Sequence, residues 1–328
     1  NDLWIGAMEG CLARYERDHG TFTRFPSSLT GIRSEQILCI QEDRQHRLWI
    51  GTQNGLYRYD RATRHAQLVP YDEEVLRKDA SSSGAIFHIQ GDDKGFLWLS
   101  TYHGLNRYDP RTGSFRHYFP EDPSGEFTPG NWIKHTFSGW DGRIWICTAS
   151  GFKLFDPRSE TFEDGFRALG IQRPEDELRL NTIVADQEKN LWFCGWQQSF
   201  FYPSDGSPVV KLRHTDQEPS SLSGTSLTDA FVDDFGGVWL GTWNAGVNYY
   251  NRSFRKFGLI RKSDRSQTLS GNIVRAITTD RSGNLWLGID QGGSNVLDRT
   301  SGAFRYLRHE PGNPNSLIYD NVRHLMWE

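Results

Sequence analysis

The stretch "GGVWLGTWNAG" at residues 236–246 decides the fold, because its core recurs along the whole chain. Close variants are "HRLWIGTQNG" at 46–55 and "RSGNLWLGIDQGG" at 281–293. The tryptophan of this phrase stands seven times, with steps of 45, 49, 47, 47, 47 and 47 residues, at Trp4, Trp49, Trp98, Trp145, Trp192, Trp239 and Trp286. Seven copies at such a period indicate propeller blades.

Each copy contains four short segments in which apolar and polar residues alternate, separated by Gly, Asn and Asp. In the sixth copy the segments are 226–234, 238–243, 246–251 and 254–260. This pattern predicts four antiparallel strands in each blade. An Asp six residues before the Trp and a Gly three before it recur in most copies, and both favour hairpin turns. We interpret these residues, and His46 in one of the glycine positions, as structural.

The two ends of the chain complement each other. The first copy lacks a first strand, and "DNVRHLMWE" (320–328) aligns with the first strand "NIVRAITTD" (272–280), with Glu328 in the position of the turn acid. We therefore predict an all-β fold, a single seven-bladed propeller with four-stranded antiparallel blades, whose ring is closed by the C-terminal strand. Blade one is 320–328 plus 1–25, and the other blades follow at steps of about 47 residues. The whole of 1–328 is predicted to be one domain.

The repeated tryptophans are expected to fill the space between blades, with the small residue two positions later leaving room for the indole. Cys147 and Cys194 occupy this small-residue position. The chain has four cysteines without metal-binding spacing, so we expect free thiols.

Composition excludes several classes of protein. Lys and Arg number 37 against 41 Asp and Glu, a net charge of −4, which argues against nucleic acid as a partner. There is no apolar run long enough for a membrane span and no signal peptide, and because the chain starts inside the repeat we expect an excised piece of a longer protein. No GxSxG, HExxH, P-loop or GxGxxG motif is present. We predict no catalytic residue, metal ligand or cofactor, with His103 and His135 as weak candidates for a base.

Functional residues are expected where the copies disagree. The loops leading into the first strands share a Ser/Thr-Leu phrase in blades two, six and seven and in the closing strand, but blades three to five lack it. Aromatic, amide and basic residues also mark the loops between second and third strands. Such side chains suit carbohydrate, whose ring faces stack while its hydroxyls take hydrogen bonds. The predicted ligand-binding residues are Tyr102, His103, Asn131, Trp132, Arg179, Asn181, Trp196, Gln197, Trp243 and Asn244.

The phrase D-x-x-G-x-L-W-x-G-T-x-x-G-L-x-x-[YF]-D is present, with small departures, at 43–60, 92–109 and 280–298. It resembles the regulator-propeller repeats in periplasmic sensors of bacterial hybrid two-component systems, and "YLRHEPGNPNSL" (306–317) looks like their blade linker. The resemblance implies a periplasmic sensor of carbohydrate, joined through a β-sandwich and one membrane helix to a histidine kinase. The commonest layout of that family has two propellers in tandem, so a second propeller and the sandwich are expected partners missing from this chain.

Three alternatives stay open at this point. Similar propellers precede diguanylate cyclase domains, so the output domain is undecided. A polysaccharide lyase or glycosidase would need a His, Tyr or carboxylate pair that meets across blades. A purely structural or dimerising ring would bind no small ligand and would present a large apolar contact, so a homodimer is also open.

Overall fold

A computed structural model of the 328-residue chain describes residues 2–34, 36–70, 84–124, 127–174, 179–215, 221–251, 256–263 and 267–327. Glu328, predicted to occupy a turn-acid position, lies outside the described residues. None of the helices in the described part of the chain is long and apolar enough to cross a membrane.

The strands form seven four-stranded antiparallel sheets, the blades of a seven-bladed β-propeller. In every sheet the strands follow chain order, except that the sheet of blade one starts with the last strand of the chain. The predicted fold class is therefore confirmed.

The chain divides into two compact units, Ser27–Ile183 and a second one made of Asn1–Pro26 with Val184–Glu328, and each is described here by itself.

The unit Ser27–Ile183 contains blades two, three and four. Their strands are β4 (Ile37–Glu42), β5 (Leu48–Thr52), β6 (Gly55–Asp60), β7 (His65–Leu68), β8 (Ile86–Gly91), β9 (Leu97–Thr101), β10 (Gly104–Asp109), β11 (Ser114–Tyr118), β12 (Ile133–Ser138), β13 (Ile144–Thr148), β14 (Gly151–Asp156) and β15 (Thr161–Asp164). Short helices α1 (Ser27–Thr30) and α2 (Gly165–Ala168) precede and follow these strands.

The other unit contains blades one, five, six and seven, and the first strand of blade five begins just before the unit boundary. The strands are β1 (Leu3–Ala7), β2 (Leu12–Glu16), β3 (Thr21–Phe25), β16 (Leu180–Ala185), β17 (Leu191–Gly195), β18 (Ser199–Tyr202), β19 (Val210–Leu212), β20 (Leu227–Val232), β21 (Val238–Thr242), β22 (Val247–Asn251), β23 (Lys256–Ile260), β24 (Val274–Thr279), β25 (Leu285–Ile289), β26 (Gly293–Leu297), β27 (Phe304–Leu307) and β28 (Val322–Trp327).

The predicted closure of blade one is confirmed by the pairing of β28 with β1. The two strands run antiparallel, with Leu3 opposite Trp327 and Ile5 opposite Leu325. On its other edge β1 pairs with β2, so the first strand of the chain is hydrogen-bonded on both sides. The last strand of the sequence thus supplies the strand that the first copy lacks.

The recurring acids have the predicted structural role in the hairpin turns, and they also accept a hydrogen bond from the indole of the repeated tryptophan. In blade six, Asp233 Oδ1 accepts hydrogen bonds from the backbone N–H groups of Phe235 and Gly237, while Oδ2 accepts the Trp239 indole N–H at 2.7 Å. Blades two, three, five and seven repeat this indole contact over 2.7–3.1 Å. His46 takes φ 58° at its turn, in the left-handed conformation that its glycine counterparts adopt.

Repeated tryptophans pack against the next blade, as predicted. Trp49 belongs to a buried cluster with Ile89, Leu97 and Tyr108 of blade three, and Trp286 packs on Tyr15 of blade one with ring centroids 4.8 Å apart. Burying such large apolar surfaces is the main source of stability for stacked blades.

The reason for the small residue after the tryptophan was predicted wrongly. A Cβ on Gly51 would lie 2.3 Å from Cys39 Sγ and 2.9 Å from the carbonyl oxygen of Ile86, and neither atom belongs to the indole. The small residue instead lets the first strand of the next blade approach closely. All four cysteines, Cys11, Cys39, Cys147 and Cys194, are buried free thiols, as predicted.

Candidate ligand-binding surface

The first strand of most blades carries a β-bulge at one equivalent position, five residues before the turn acid. Pairing with the second strand skips one residue in six blades, and the skipped residues are Leu38, Phe87, Lys134, Thr228, Arg275 and Arg323. Asn181 stands at the same position in blade five. A bulge re-aims a side chain relative to its neighbours and is frequent beside functional sites. The side chains at the bulges are therefore candidates for the site, together with the predicted loop residues.

In the unit Ser27–Ile183, the structure brings two predicted residues into one aromatic cluster. Tyr102 and Trp132 are both half-buried, and their ring centroids lie 5.1 Å apart. Phe87, from the bulge of blade three, meets Tyr102 edge-on at 4.7 Å, and Phe127 completes the group at 6.0 Å from Tyr102. We call Phe87, Tyr102, Phe127 and Trp132 the aromatic cluster. Its four side chains are half-buried or exposed, so a sugar ring could stack on them.

Lys134 connects this aromatic cluster to polar residues. Its Nζ lies 4.8 Å from the centroid of the Trp132 ring and donates a hydrogen bond to Asn181 Oδ1 at 3.1 Å. Burial lowers the pKa of Lys134, and the positive charge of Arg179 lowers it further. Arg179 itself is exposed. Sequence reasoning singled out Asn181 and Arg179 but missed Lys134, because the sequence does not show which residue of a first strand forms the bulge.

Two other predicted residues of this unit build the fold. Asn131 is fully buried, and its Oδ1 accepts from the backbone N–H groups of Glu121 and Asp122 while its Nδ2 donates to the Asp122 carbonyl. His103 is 4% exposed within the turn after β9. We assign both side chains a structural role and leave them out of the proposed surface.

His135, the second weak candidate for a base, lies beside the His88 ring with centroids 4.3 Å apart. Burial lowers the pKa of His135 to about 4. An imidazole with so low a pKa is a weak proton acceptor.

In the other unit, Trp196 and Trp243 form an exposed pair. They are 39% and 37% exposed, with ring centroids 5.4 Å apart and an edge-to-face angle of 70°. The guanidinium carbon of Arg275 lies 4.1 Å from the centroid of the Trp243 ring, and Arg275 Nη2 is 2.8 Å from Asp290 Oδ2. We call Trp196, Trp243, Arg275, Asp290 and Arg323 the tryptophan–arginine cluster. Two exposed indoles in contact form an apolar patch, and such patches can mark a ligand-binding surface.

The amides predicted beside these tryptophans are exposed as expected. Gln197 takes φ 65° and donates its backbone N–H to Ser226 Oγ at 3.3 Å, which leaves the side chain facing outward. Asn244 follows Trp243 directly in the same loop and is exposed too. Both can offer hydrogen bonds to a ligand resting on the indoles.

Asp229 is a titratable residue that sequence reasoning missed. It follows the bulge of blade six, and its Oδ1 accepts the backbone N–H of Ala230 at 2.9 Å. Burial raises the pKa of Asp229 to about 7.

Across the described ranges, no three His, Cys, Asp or Glu side chains gather in a way that could hold a metal ion.

Comparison with known families decides what the repeats are. The model of the two-component regulator propeller matches residues 31–54 and 268–291, the segments that contain the first strands and the repeated tryptophans of blades two and seven. Residues 31–54 and 268–291 of this chain are two-component regulator propeller repeats. The search among curated proteins gives no significant match.

Solved structures share the fold of this chain. The extracellular domain of a protein described as a hybrid two component system from B. thetaiotaomicron has 21% sequence identity and a TM-score of 0.60, covering 98% of this chain and 40% of that one. PorZ, a surface component of the type-IX secretion system of Porphyromonas gingivalis, has 15% identity and a TM-score of 0.61, covering 92% and 48%. The chain therefore spans less than half the length of either structure.

Proposed function

We propose that this regulator propeller is the ligand-sensing part of an extracytoplasmic, membrane-anchored receptor, and that its ligand is a saccharide. The observation that carries the proposal is the exposed Trp196–Trp243 pair, flanked by Gln197 and Asn244 in loops where the copies differ most. Indole faces stack on the C–H face of a sugar ring, and amides serve its hydroxyls. The aromatic cluster of the other unit offers the same combination, with Lys134 and Asn181 as its polar groups.

The parent protein is proposed to be a hybrid two-component histidine kinase whose sensor lies in the periplasm. Support comes from the matched regulator repeats and from the similar fold of an extracellular domain described as part of such a system. A second propeller, a β-sandwich and the kinase are the proposed partners on the same polypeptide. If the output domain is a diguanylate cyclase instead, the sensing role proposed for this propeller is unchanged.

We further propose that the propeller itself is not an enzyme. Of the two histidines considered as bases, His103 is buried in the fold, and burial lowers the pKa of His135 to about 4, which makes it a weak base. Incubation with mixed plant and host polysaccharides should release no reducing ends and no unsaturated products. Turnover that disappears on changing His103 or His135 would establish a lyase or glycosidase instead.

A thermal-shift screen of oligosaccharides tests the sensing proposal. One class of saccharide should raise the melting temperature in proportion to the logarithm of its concentration, because a ligand that binds only the folded chain stabilises it. The same saccharide should change tryptophan fluorescence, since the exposed indoles would become covered. If no saccharide in a broad panel alters either signal, the proposed function is wrong.

A further inference from the structure

Arg323 has an unusual environment for a guanidinium group. It stands at the bulge of β28 and is half-buried, and burial lowers its pKa. Its Nε is shielded from solvent and has no hydrogen-bond partner among the described residues, while Nη2 donates only to the thioether sulfur of Met8 at 3.6 Å. A guanidinium carries five N–H donors, and a thioether is a weak acceptor. The half-buried guanidinium therefore has no oxygen acceptor among the described residues, and an oxyanion that contacts its exposed part would supply one.

The charges around Arg323 favour an anion as that acceptor. Arg275 lies close enough to lower the pKa of Arg323, and Asp290 is the acid that opposes this effect. Asp290 Oδ2 already receives both Nε and Nη2 of Arg275, at 3.3 and 2.8 Å. Asp290 is thus paired with Arg275 and has no hydrogen bond to Arg323, and the three side chains together carry one positive charge in excess. A second carboxylate or a sulfate near Arg323 would complete the pairing.

The excess positive charge of these arginines is located at the proposed saccharide-binding surface. Arg275 stacks on the Trp243 ring, so the excess charge lies next to the exposed indole pair. Planar guanidinium groups bind oxyanions through two parallel N–H···O bonds, and the two terminal nitrogens Nη1 and Nη2 form one edge suited to this. An acidic sugar stacked on Trp243 would carry its oxyanion within the same surface.

We propose that Arg323 anchors the oxyanion of an acidic saccharide, and that the tryptophan–arginine cluster selects acidic over neutral sugars. The inference rests on the proposed function, because it assigns the ligand class of the same surface. Uronic carboxylates and sulfate esters are the two sources of such an oxyanion in saccharides, and the experiment separates them.

Calorimetric titration of the intact chain tests the proposal with three matched ligands: an oligogalacturonide, its carboxyl-reduced neutral counterpart and a sulfated oligosaccharide. The wild-type chain should bind one acidic ligand about 10-fold to 100-fold more tightly than the neutral one. Arg323→Gln should bind the acidic ligand only as well as the neutral one. Arg323→Lys, which keeps the charge without the planar fork, should recover part of the preference. The control is Arg281→Gln, because Arg281 is exposed on the hairpin turn at the far end of β24.

The possible results separate this inference from the proposed function. Equal binding of acidic and neutral saccharides by the wild-type chain, or a preference that survives in Arg323→Gln, would overturn the role of Arg323 while leaving saccharide sensing intact. Absence of binding by any saccharide would overturn both. Circular dichroism and melting temperature of each variant establish that lost binding does not come from lost folding.

Discussion

At the residue scale, one carboxylate connects the first hairpin turn of a blade to the tryptophan that packs between blades. Asp233 is 2% exposed and accepts two backbone N–H groups and the Trp239 indole N–H, and Arg299 Nη1 lies 2.8 Å from its Oδ2. The carboxylate thus fixes both the turn and the orientation of the indole. Blade four has Gly139 in the usual position, and Asp141, four residues before Trp145, accepts the indole N–H at 3.2 Å instead.

Asp233→Ala should lower the free energy of unfolding by about 2–4 kcal/mol, because several buried donors lose their acceptor at once. Chemical denaturation monitored by tryptophan fluorescence measures this. The matched control is Asp234→Ala, since the neighbouring Asp234 is exposed. Equal effects of the two substitutions would show that the turn does not need the carboxylate.

Sequence reasoning identified the turn acids but not their bond to the indole. Hydrogen bonds to the turn backbone alone explain a recurring Asp before a turn, so the pattern did not indicate that the carboxylate also accepts the indole N–H. The constant spacing of six residues between Asp and Trp was the available signal. Two hydrogen-bonded strands of a hairpin bring residues at that spacing to the same end of the blade.

Trp132→Ala should weaken saccharide binding by about 1–3 kcal/mol and leave the fold intact, because the half-buried Trp132 ring belongs to the partly open aromatic cluster. Trp145→Ala is the matched control in the same blade. Trp145 is completely buried, so its truncation should cost about 3–5 kcal/mol of stability. Titration and thermal denaturation of both variants separate the two roles. Normal binding by Trp132→Ala would remove this cluster from the ligand surface.

His135 should make the chain less stable in acid. Burial lowers its pKa to about 4 from the ordinary 6.5, so below pH 6.5 the unfolded chain takes up a proton that the folded chain refuses. Stability is therefore lost as the pH falls from about 6.5 to about 4. Melting temperatures of the wild-type chain and of His135→Gln should converge or cross between pH 7.5 and pH 4.5. A constant difference over this range would contradict the assignment.

At the scale of the elements, the strands and the closure of blade one could be predicted, whereas the bulges could not. The alternation of apolar and polar residues marks a strand, but skipping a single residue leaves that alternation nearly unchanged. Lys134, Arg275 and Arg323 therefore looked like ordinary polar positions of the first strand. Their equivalent positions in the repeat become informative only when the pairing between the first and second strands shows which residue is skipped.

Deleting 320–328 should expose the free edge of β1 and cause aggregation or unfolding. The removed segment contains β28, which pairs with β1 along its whole length. An unpaired strand edge is a template for pairing with other chains. Size-exclusion chromatography and circular dichroism of the shortened chain measure the outcome. A monomeric shortened chain with an unchanged melting temperature would show that the pairing contributes nothing to stability.

At the scale of the whole molecule, the repeat accounts for most of the sequence, and the departures from it define the proposed ligand surface. The copies agree at tryptophans, turn acids and small residues, which all serve packing. They differ at the loops between second and third strands and at the bulges. The contacts among the differing residues, such as Lys134 with Asn181 and Arg275 with Trp243, come from different segments of the chain. Sequence periodicity does not encode such contacts, so the surface could be predicted only as a set of candidate residues.

Hydrogen–deuterium exchange of the intact chain, with and without the saccharide that raises its melting temperature most, tests the central claim most directly. We predict slower amide exchange in the loops that contain Trp196 and Trp243, or in those that contain Tyr102 and Trp132. No change is expected in the hairpin turns at the opposite ends of the same strands, such as the turn that contains Asp233. Protection confined to those turns, with none in the loops, would contradict the proposed ligand surface.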